Sequence, residues 1–128
     1  MIVKKNKYGN QKLNTPDGKF DSQKEYREWC QLKLLEKAGK ITSLERQKEI
    51  QLIPTIRTQT ETLRRTSYFA DFFYFDNERQ SWVIHDTKGF PTDSYKIKKK
   101  LVLWLYPNIV FVESGKVYKE YKNIQKIC

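Results

Sequence analysis

Two stretches rich in aromatic and β-branched residues dominate the hydrophobic pattern of the chain. They cover residues 67–75 and 81–89, and a polar segment, residues 76–80, separates them. This composition around a short polar segment is typical of a β-hairpin in a buried sheet. Each stretch nevertheless carries an acidic residue among apolar neighbours, Asp71 in the first and Asp86 in the second.

The pattern predicts a helix on each side of this hairpin. Over residues 22–38 apolar residues recur at about 3.6-residue spacing behind a capping-box sequence, and Gly39 follows as a stop signal. A second helix is predicted to begin at Thr92 or Asp93 and to end near Tyr106. The core order is therefore helix, three strands, helix, strand.

The other segments give weaker patterns. Residues 1–20 predict a basic arm with room for one short strand, mobile until something holds it. The other predictions, in chain order, are a connector (41–44), a strand (47–53), a hairpin or basic loop (55–66), a strand (109–112), and a short strand or helix after residue 115. At 128 residues the chain suits a single domain, 1–128.

The charge of the chain suggests a polyanionic partner. Lys and Arg number 25 against 15 Asp and Glu, a formal net charge of +10. Nucleic acid is the leading candidate and an anionic membrane surface the second. A lysine-rich surface that serves solubility alone is the remaining interpretation.

Other features indicate an intracellular protein without a membrane partner. No stretch approaches the ~20 apolar residues of a membrane span, and the first residues lack the apolar run of a secretory signal. The two cysteines, Cys30 and Cys128, show neither metal-ligand spacing nor a disulfide framework.

The hairpin also predicts a chemical site. If the polar segment holds the turn, Asp71 falls opposite Asp86, with Cβ atoms about 5 Å apart. Lys88 shares the face of Asp86, whereas His85 and Thr87 point to the other side. Opposed carboxylates destabilise a sheet unless a cation compensates, and Mg²⁺ or Mn²⁺ accepts one or two carboxylates plus water and phosphate oxygens.

Such a site suits phosphodiester hydrolysis. A metal ion acidifies water, and a neighbouring lysine orients the water or neutralises developing charge. Two other interpretations stay open: a register slip that leaves one acid at an exposed strand end, and a solvated Lys88 before a turn glycine.

An Asp on one strand and an acid-x-Lys tripeptide on the next resemble the PD-(D/E)XK nuclease superfamily. Over roughly residues 7–112 the chain more specifically resembles a phage-encoded family of Holliday-junction-resolvase-like and restriction-endonuclease-like nucleases. The matching motifs are Lys7-Tyr8-Gly9-Asn10, Phe20-Asp21-Ser22-x-x-Glu25, Leu44-x-x-Gln47, Ala70-Asp71-Phe72, Asp86-Thr87-Lys88 and Gly89.

The resemblance implies an α/β fold with a restriction-endonuclease-like core, a central mixed β-sheet flanked by helices in the order αβββαβ. It makes Asp71 the central metal ligand and Asp86 the second, with the Thr87 carbonyl as a backbone ligand. Lys88 positions the attacking water or steadies the developing charge. Glu25 supplies a further acid from the first helix.

Glu25 has a second interpretation, because the capping box alone accounts for it. Glu28, one turn later, is the fallback acid. The chain departs from the superfamily motif at Ala70, where Pro is usual, and at Asp86, where Glu is common; the shorter Asp86 affects metal geometry.

Further DNA contacts are predicted at the second helix and at the first core strand, where the alternative is a solvated surface. The residues are Lys96, Lys98, Lys99, Lys100 and Gln47. His85 is expected to be structural or exposed.

Together these features predict a Mg²⁺-dependent DNA endonuclease for branched or flap DNA. The resemblance places it in phage recombination, repair or packaging, in the host cytoplasm, with a homodimer as one option. The alternatives are a non-catalytic nucleic-acid-binding protein that retains the nuclease fold and a basic structural protein.

Overall fold

A computed structural model of the protein describes residues 2–5, 11–87, 91–113 and 119–122. Within these ranges the chain forms two helices and ten strands in a mixed α/β arrangement. In chain order they are β1 (Ile2–Lys5), β2 (Gln11–Thr15), β3 (Gly18–Phe20), α1 (Gln23–Lys37), β4 (Ile41–Ile53), β5 (Ile56–Arg57), β6 (Thr62–Leu63), β7 (Thr66–Asp76), β8 (Ser81–Asp86), α2 (Asp93–Leu105), β9 (Val110–Glu113) and β10 (Lys119–Lys122).

A five-stranded mixed sheet forms the centre of the described fold, in the strand order β10-β9-β8-β7-β4. β4, β7 and β8 are antiparallel neighbours, β8 and β9 are parallel, and β10 is antiparallel to β9. The predicted mixed sheet is confirmed, and α1, β4, β7, β8, α2 and β9 follow one another in the predicted order.

The two helices cover opposite faces of this sheet. Ile84 and Phe111 pack in a cluster with Val102 of α2, here the α2 cluster. Their strand neighbours Val83 and Val110 belong to a second cluster with Leu32 of α1, the α1 cluster. Because successive strand residues point to opposite faces, the sheet separates the two clusters.

Both helices begin and end as the sequence predicts. Ser22 caps α1 and accepts a hydrogen bond from the Glu25 amide at 3.1 Å, and Thr92 caps α2. Gly39 follows α1 with φ +79°, and the amides of Gly39 and Lys40 bond the last carbonyls of the helix. This left-handed position favours glycine. Neither described helix is long and apolar enough to cross a membrane.

The prediction of a single short strand in the arm at residues 1–20 is wrong, whereas the mobility of the arm stays a prediction. β1, β2 and β3 form an antiparallel sheet there, and Leu13 and Phe20 are fully buried. The Phe20 ring packs against Tyr26 and Trp29 of α1. Two isolated apolar residues in a polar segment give no periodic hydrophobic pattern. Their burial is nevertheless enough to attach the small sheet.

The connector predicted at residues 41–44 is also wrong, because β4 already begins at Ile41. Ser43 has φ +58° and the register shifts between Thr42 and Glu45, so a bulge hides the two-residue alternation of a strand. The hairpin predicted at 55–66 is confirmed by the pairing of β5 with β6. After residue 115, β10 confirms the strand alternative, and residues 114–118 and 123–128 lie outside the described ranges.

Candidate functional site

The central hairpin has the predicted register. β7 and β8 pair from Asp76 opposite Ser81 to Phe72 opposite His85. Continuing this register by one position places Asp71 opposite Asp86, at the point where the regular pairing ends.

β7 changes face at Asp71. Tyr68 and Ala70 lie in the α2 cluster, whereas Phe72 and Tyr74 lie in the α1 cluster. A regular strand keeps residues two apart on one face, so the alternation reverses at Asp71.

The alternation of side chains in β4 reverses too, at the position that faces Asp71. Arg46 lies 3.6 Å over the Phe20 ring on the α1 side, whereas Ile50 belongs to the α2 cluster. Between them Gln47 has φ +49°, a left-handed conformation that is uncommon for a residue with a side chain. Its amide Nε2 donates to Asp71 Oδ1 at 3.4 Å. Strained backbone of this kind often accompanies a functional site.

Asp71 is buried and held by Thr87. Oδ2 accepts from the Thr87 amide at 2.9 Å and from its hydroxyl at 2.8 Å. The prediction that the Thr87 side chain points away from the acids is therefore wrong. β8 ends at Asp86, so strand alternation no longer fixes the direction of the next side chain.

Asp86 is fully buried at the end of β8. Its Oδ1 accepts from the Thr87 amide at 2.9 Å, and its Oδ2 accepts from the Tyr68 hydroxyl. Burial, reinforced by the charge of Asp86, raises the pKa of Tyr68 far above its ordinary value, so the phenol stays a donor.

One amide thus joins the two acids, which we call the carboxylate pair (Asp71 and Asp86). Asp71 Oδ2 and Asp86 Oδ1 each lie 2.9 Å from the Thr87 nitrogen, so they are no farther apart than twice that distance. A hard divalent cation fits such a pair, because it takes one or two carboxylates and completes its shell with water or phosphate oxygens. Among the described residues, no group of three or more His, Cys, Asp or Glu side chains is arranged to hold a metal ion.

Glu25 is buried on α1 and is linked to the small N-terminal sheet through Arg46. Its carboxylate lies 3.8 Å from the Arg46 guanidinium, which also donates to the Lys19 carbonyl at 2.7 Å. Together with the Ser22 cap, this ion pair gives Glu25 a structural role. Its metal role stays a prediction.

The fallback acid Glu28 is half-buried and belongs to a polar chain on the α1 side. Glu28 Oε2 lies 2.9 Å from His85 Nε2, and His85 Nδ1 lies 3.1 Å from the Tyr74 hydroxyl. The expectation of an exposed His85 is wrong, because the ring is buried, and a structural role stays a prediction. No local sequence pattern indicated its two partners, which come from α1 and β7.

The predicted lysines fall into different surroundings. Lys88 lies outside the described residues. Lys99 Nζ contacts Glu113 at 2.6 Å, and Lys96 and Lys100 are exposed on α2. Lys98 lines an open groove together with three residues that the sequence analysis did not select, Arg64, Arg65 and Phe69. The signal for this groove in the sequence was the adjacent pair Arg64 and Arg65. Phe69 follows Arg65 by four residues.

A model of the family described as "Protein of unknown function (DUF1064)" matches residues 5–123, a span that contains every candidate residue above. No curated protein and no solved structure matches the chain. The chain therefore belongs to the family of proteins of unknown function described as DUF1064.

Proposed function

We propose that this protein is a DNA endonuclease, dependent on Mg²⁺ or Mn²⁺, with a restriction-endonuclease-like core. Its substrate is branched or flap DNA in phage recombination, repair or packaging. The observation that carries the proposal is the buried carboxylate pair, which a single amide joins where β7 and β8 stop pairing.

Burial is the first argument for a cation at this pair. Asp71 is 8% exposed and Asp86 0%. Removing a carboxylate from water costs several kcal/mol unless charge and hydrogen bonds compensate it. The net charge of +10 supplies the second argument, because it favours a phosphodiester polymer as the partner.

In this proposal the carboxylate pair holds the ion, and its neighbours orient the carboxylates in advance. A bound Mg²⁺ would stabilise the charge on the scissile phosphate and would lower the pKa of a water. Tyr68 fixes Asp86, whereas Thr87 and Gln47 fix Asp71, the way second-layer hydrogen bonds orient metal ligands. Lys88 remains proposed for the water, and Glu25 and the Thr87 carbonyl for additional ligation.

One observation favours the second candidate, a non-catalytic nucleic-acid-binding protein. Both oxygens of Asp71 and both oxygens of Asp86 accept hydrogen bonds from protein groups. Satisfied polar groups are stable in a protein interior without an ion. The carboxylate pair would then terminate the hairpin rather than catalyse a reaction.

The two candidates differ in metal-dependent cleavage. Labelled duplex, single-stranded, flap and four-way-junction DNA would be incubated with wild type, Asp71→Asn or Asp86→Asn in Mg²⁺, Mn²⁺ or EDTA. We expect wild type to cut branched DNA in metal only. Both variants should lose cleavage yet bind DNA at least as well, because each removes a negative charge. Glu78→Gln, an exposed acid in the hairpin turn, is the matched control and should cut normally.

Each contrary result has its own meaning. Binding without cleavage in either metal would favour the second candidate. Cleavage by Asp86→Asn at the wild-type rate would show that the site is misassigned. The proposed homodimer is tested separately, by sedimentation of the free protein and of its junction complex.

A further inference from the structure

An open groove of about 810 Å³ lies beside the first residues of β7, which precede Asp71. Residues from β4, β7, the segment before β7 and α2 line it. We call six of its lining residues the basic groove: Glu49, Arg64, Arg65, Ser67, Phe69 and Lys98.

Positive charge predominates in the basic groove. Arg65 is tied to Glu49 at 3.0 Å, and the Ser67 hydroxyl bonds the same carboxylate at 2.7 Å. The Ser67 bond, followed by the Arg65 charge, lowers the pKa of Glu49, so this ion pair stays ionised. In the described part of the chain neither Arg64 nor Lys98 has an ion-pair partner. Two cations are thus left to bind an anion.

Phe69 places an aromatic ring among these cations. Its side chain is 53% exposed, although it lies within β7 and faces Glu49 across the strand pair. Phe69 is two residues before Asp71, which puts the two Cα atoms about 7 Å apart. A strand that covers the ring therefore needs to extend about 7 Å along β7 to arrive at Asp71.

We propose that the basic groove binds an unpaired nucleic-acid segment and leads it to Asp71. Phe69 stacks on a base, while Arg64 and Lys98 bind phosphates. A cationic groove with an exposed aromatic ring is the combination with which proteins bind single strands. A duplex does not fit this arrangement as well, because its bases already stack on each other. The inference rests on the proposed nuclease function and adds a substrate class: DNA with a single-stranded segment beside the scissile phosphate.

The test measures binding without cleavage. Fluorescence anisotropy in EDTA would compare a labelled oligothymidylate with a blunt duplex of equal length. Phe69→Leu should weaken single-strand binding at least about fivefold, because base stacking is lost, whereas Phe69→Trp should retain it. Duplex binding should change little in either variant. Thermal melting followed by circular dichroism verifies that both variants fold.

Two charge variants test the cationic part. Arg64→Ala should reduce the slope of log affinity against log salt by about 0.7, the value for one phosphate contact on a single strand. Lys37→Ala, at an exposed cation in the last turn of α1, is the matched control and should leave the slope unchanged. Glu49→Gln should strengthen binding, since it removes the acid of the groove.

The outcomes separate this inference from the proposed function. If wild type cuts flap DNA and Phe69→Leu binds single strands as tightly as wild type, the groove assignment is wrong and the nuclease proposal stands. If no DNA is cut in any metal but Phe69→Leu loses single-strand binding, the nuclease proposal fails and the groove remains a nucleic-acid site.

Discussion

Removing the hydroxyl of Tyr68 tests the geometry of the carboxylate pair. Tyr68 is 3% exposed and its hydroxyl donates to Asp86, which is fully buried. Tyr68→Phe keeps the ring and leaves almost no cavity, so the loss of this bond dominates the change. A hydrogen bond to a charged group contributes about 1.5–3 kcal/mol, so the free energy of unfolding should fall by about 2 kcal/mol.

Urea unfolding at neutral pH in EDTA measures this change in the free energy of unfolding. In thermal unfolding the melting temperature should fall by about 7 °C. Tyr106→Phe is the matched control. Its hydroxyl donates to the neutral carbonyl of Gln51 at 2.8 Å in an exposed position, so its removal should cost about 1 kcal/mol or less.

A double-mutant cycle then isolates the Tyr68–Asp86 interaction. In an Asp86→Ala background the hydroxyl has lost its acceptor, so Tyr68→Phe should cost at least about 1 kcal/mol less than in wild type. If Tyr68→Phe costs no more than Tyr106→Phe in the wild-type protein, the Tyr68 hydroxyl does not stabilise the Asp86 carboxylate. This comparison uses only the two single variants, so it remains decisive even if Asp86→Ala does not fold.

Two further predictions concern groups that position the fold around the site. Burial, followed by the hydrogen bond to Glu113, raises the pKa of Tyr95 in the folded protein, so its contribution to stability is present below about pH 10 and lost above it. In urea unfolding the wild type should therefore lose stability faster than Tyr95→Phe above this pH, by up to about 1.4 kcal/mol per pH unit, and parallel curves would contradict this. Arg46→Lys should cost about 1–2 kcal/mol and accelerate amide hydrogen exchange in β3, because lysine lacks the planar fork that contacts both Phe20 and the Lys19 carbonyl. Unchanged exchange in β3 would mean that Arg46 does not anchor the small sheet.

The hairpin register was predictable from the sequence, because a polar turn between two apolar arms fixes which residues oppose each other. The change of face at Asp71 was not. It accompanies the left-handed backbone of Gln47, a residue whose type does not require that conformation. Thr87 also departs from simple alternation, because β8 ends at Asp86 and the Thr87 hydroxyl donates to Asp71.

The candidate acids show the same difference between features that a local sequence pattern predicts and features that only the fold creates. Asp71 and Asp86 were identifiable because each interrupts an apolar strand. The partners of Glu25 and Glu28, which are Arg46 and His85, come from distant strands, and no local pattern encodes them. The basic groove was missed for a similar reason, since the sequence did not show that Phe69 is exposed.

Cleavage of a labelled flap DNA by wild type and by Asp86→Asn tests whether the carboxylate pair is a metal-dependent catalytic site. The carboxylate pair as a metal site predicts that wild type cuts the flap in Mg²⁺ and not in EDTA, whereas Asp86→Asn binds the flap and leaves it intact. Wild-type protein that binds the flap but does not cut it in Mg²⁺ or Mn²⁺ would contradict the claim, and so would an Asp86→Asn variant that cuts at the wild-type rate.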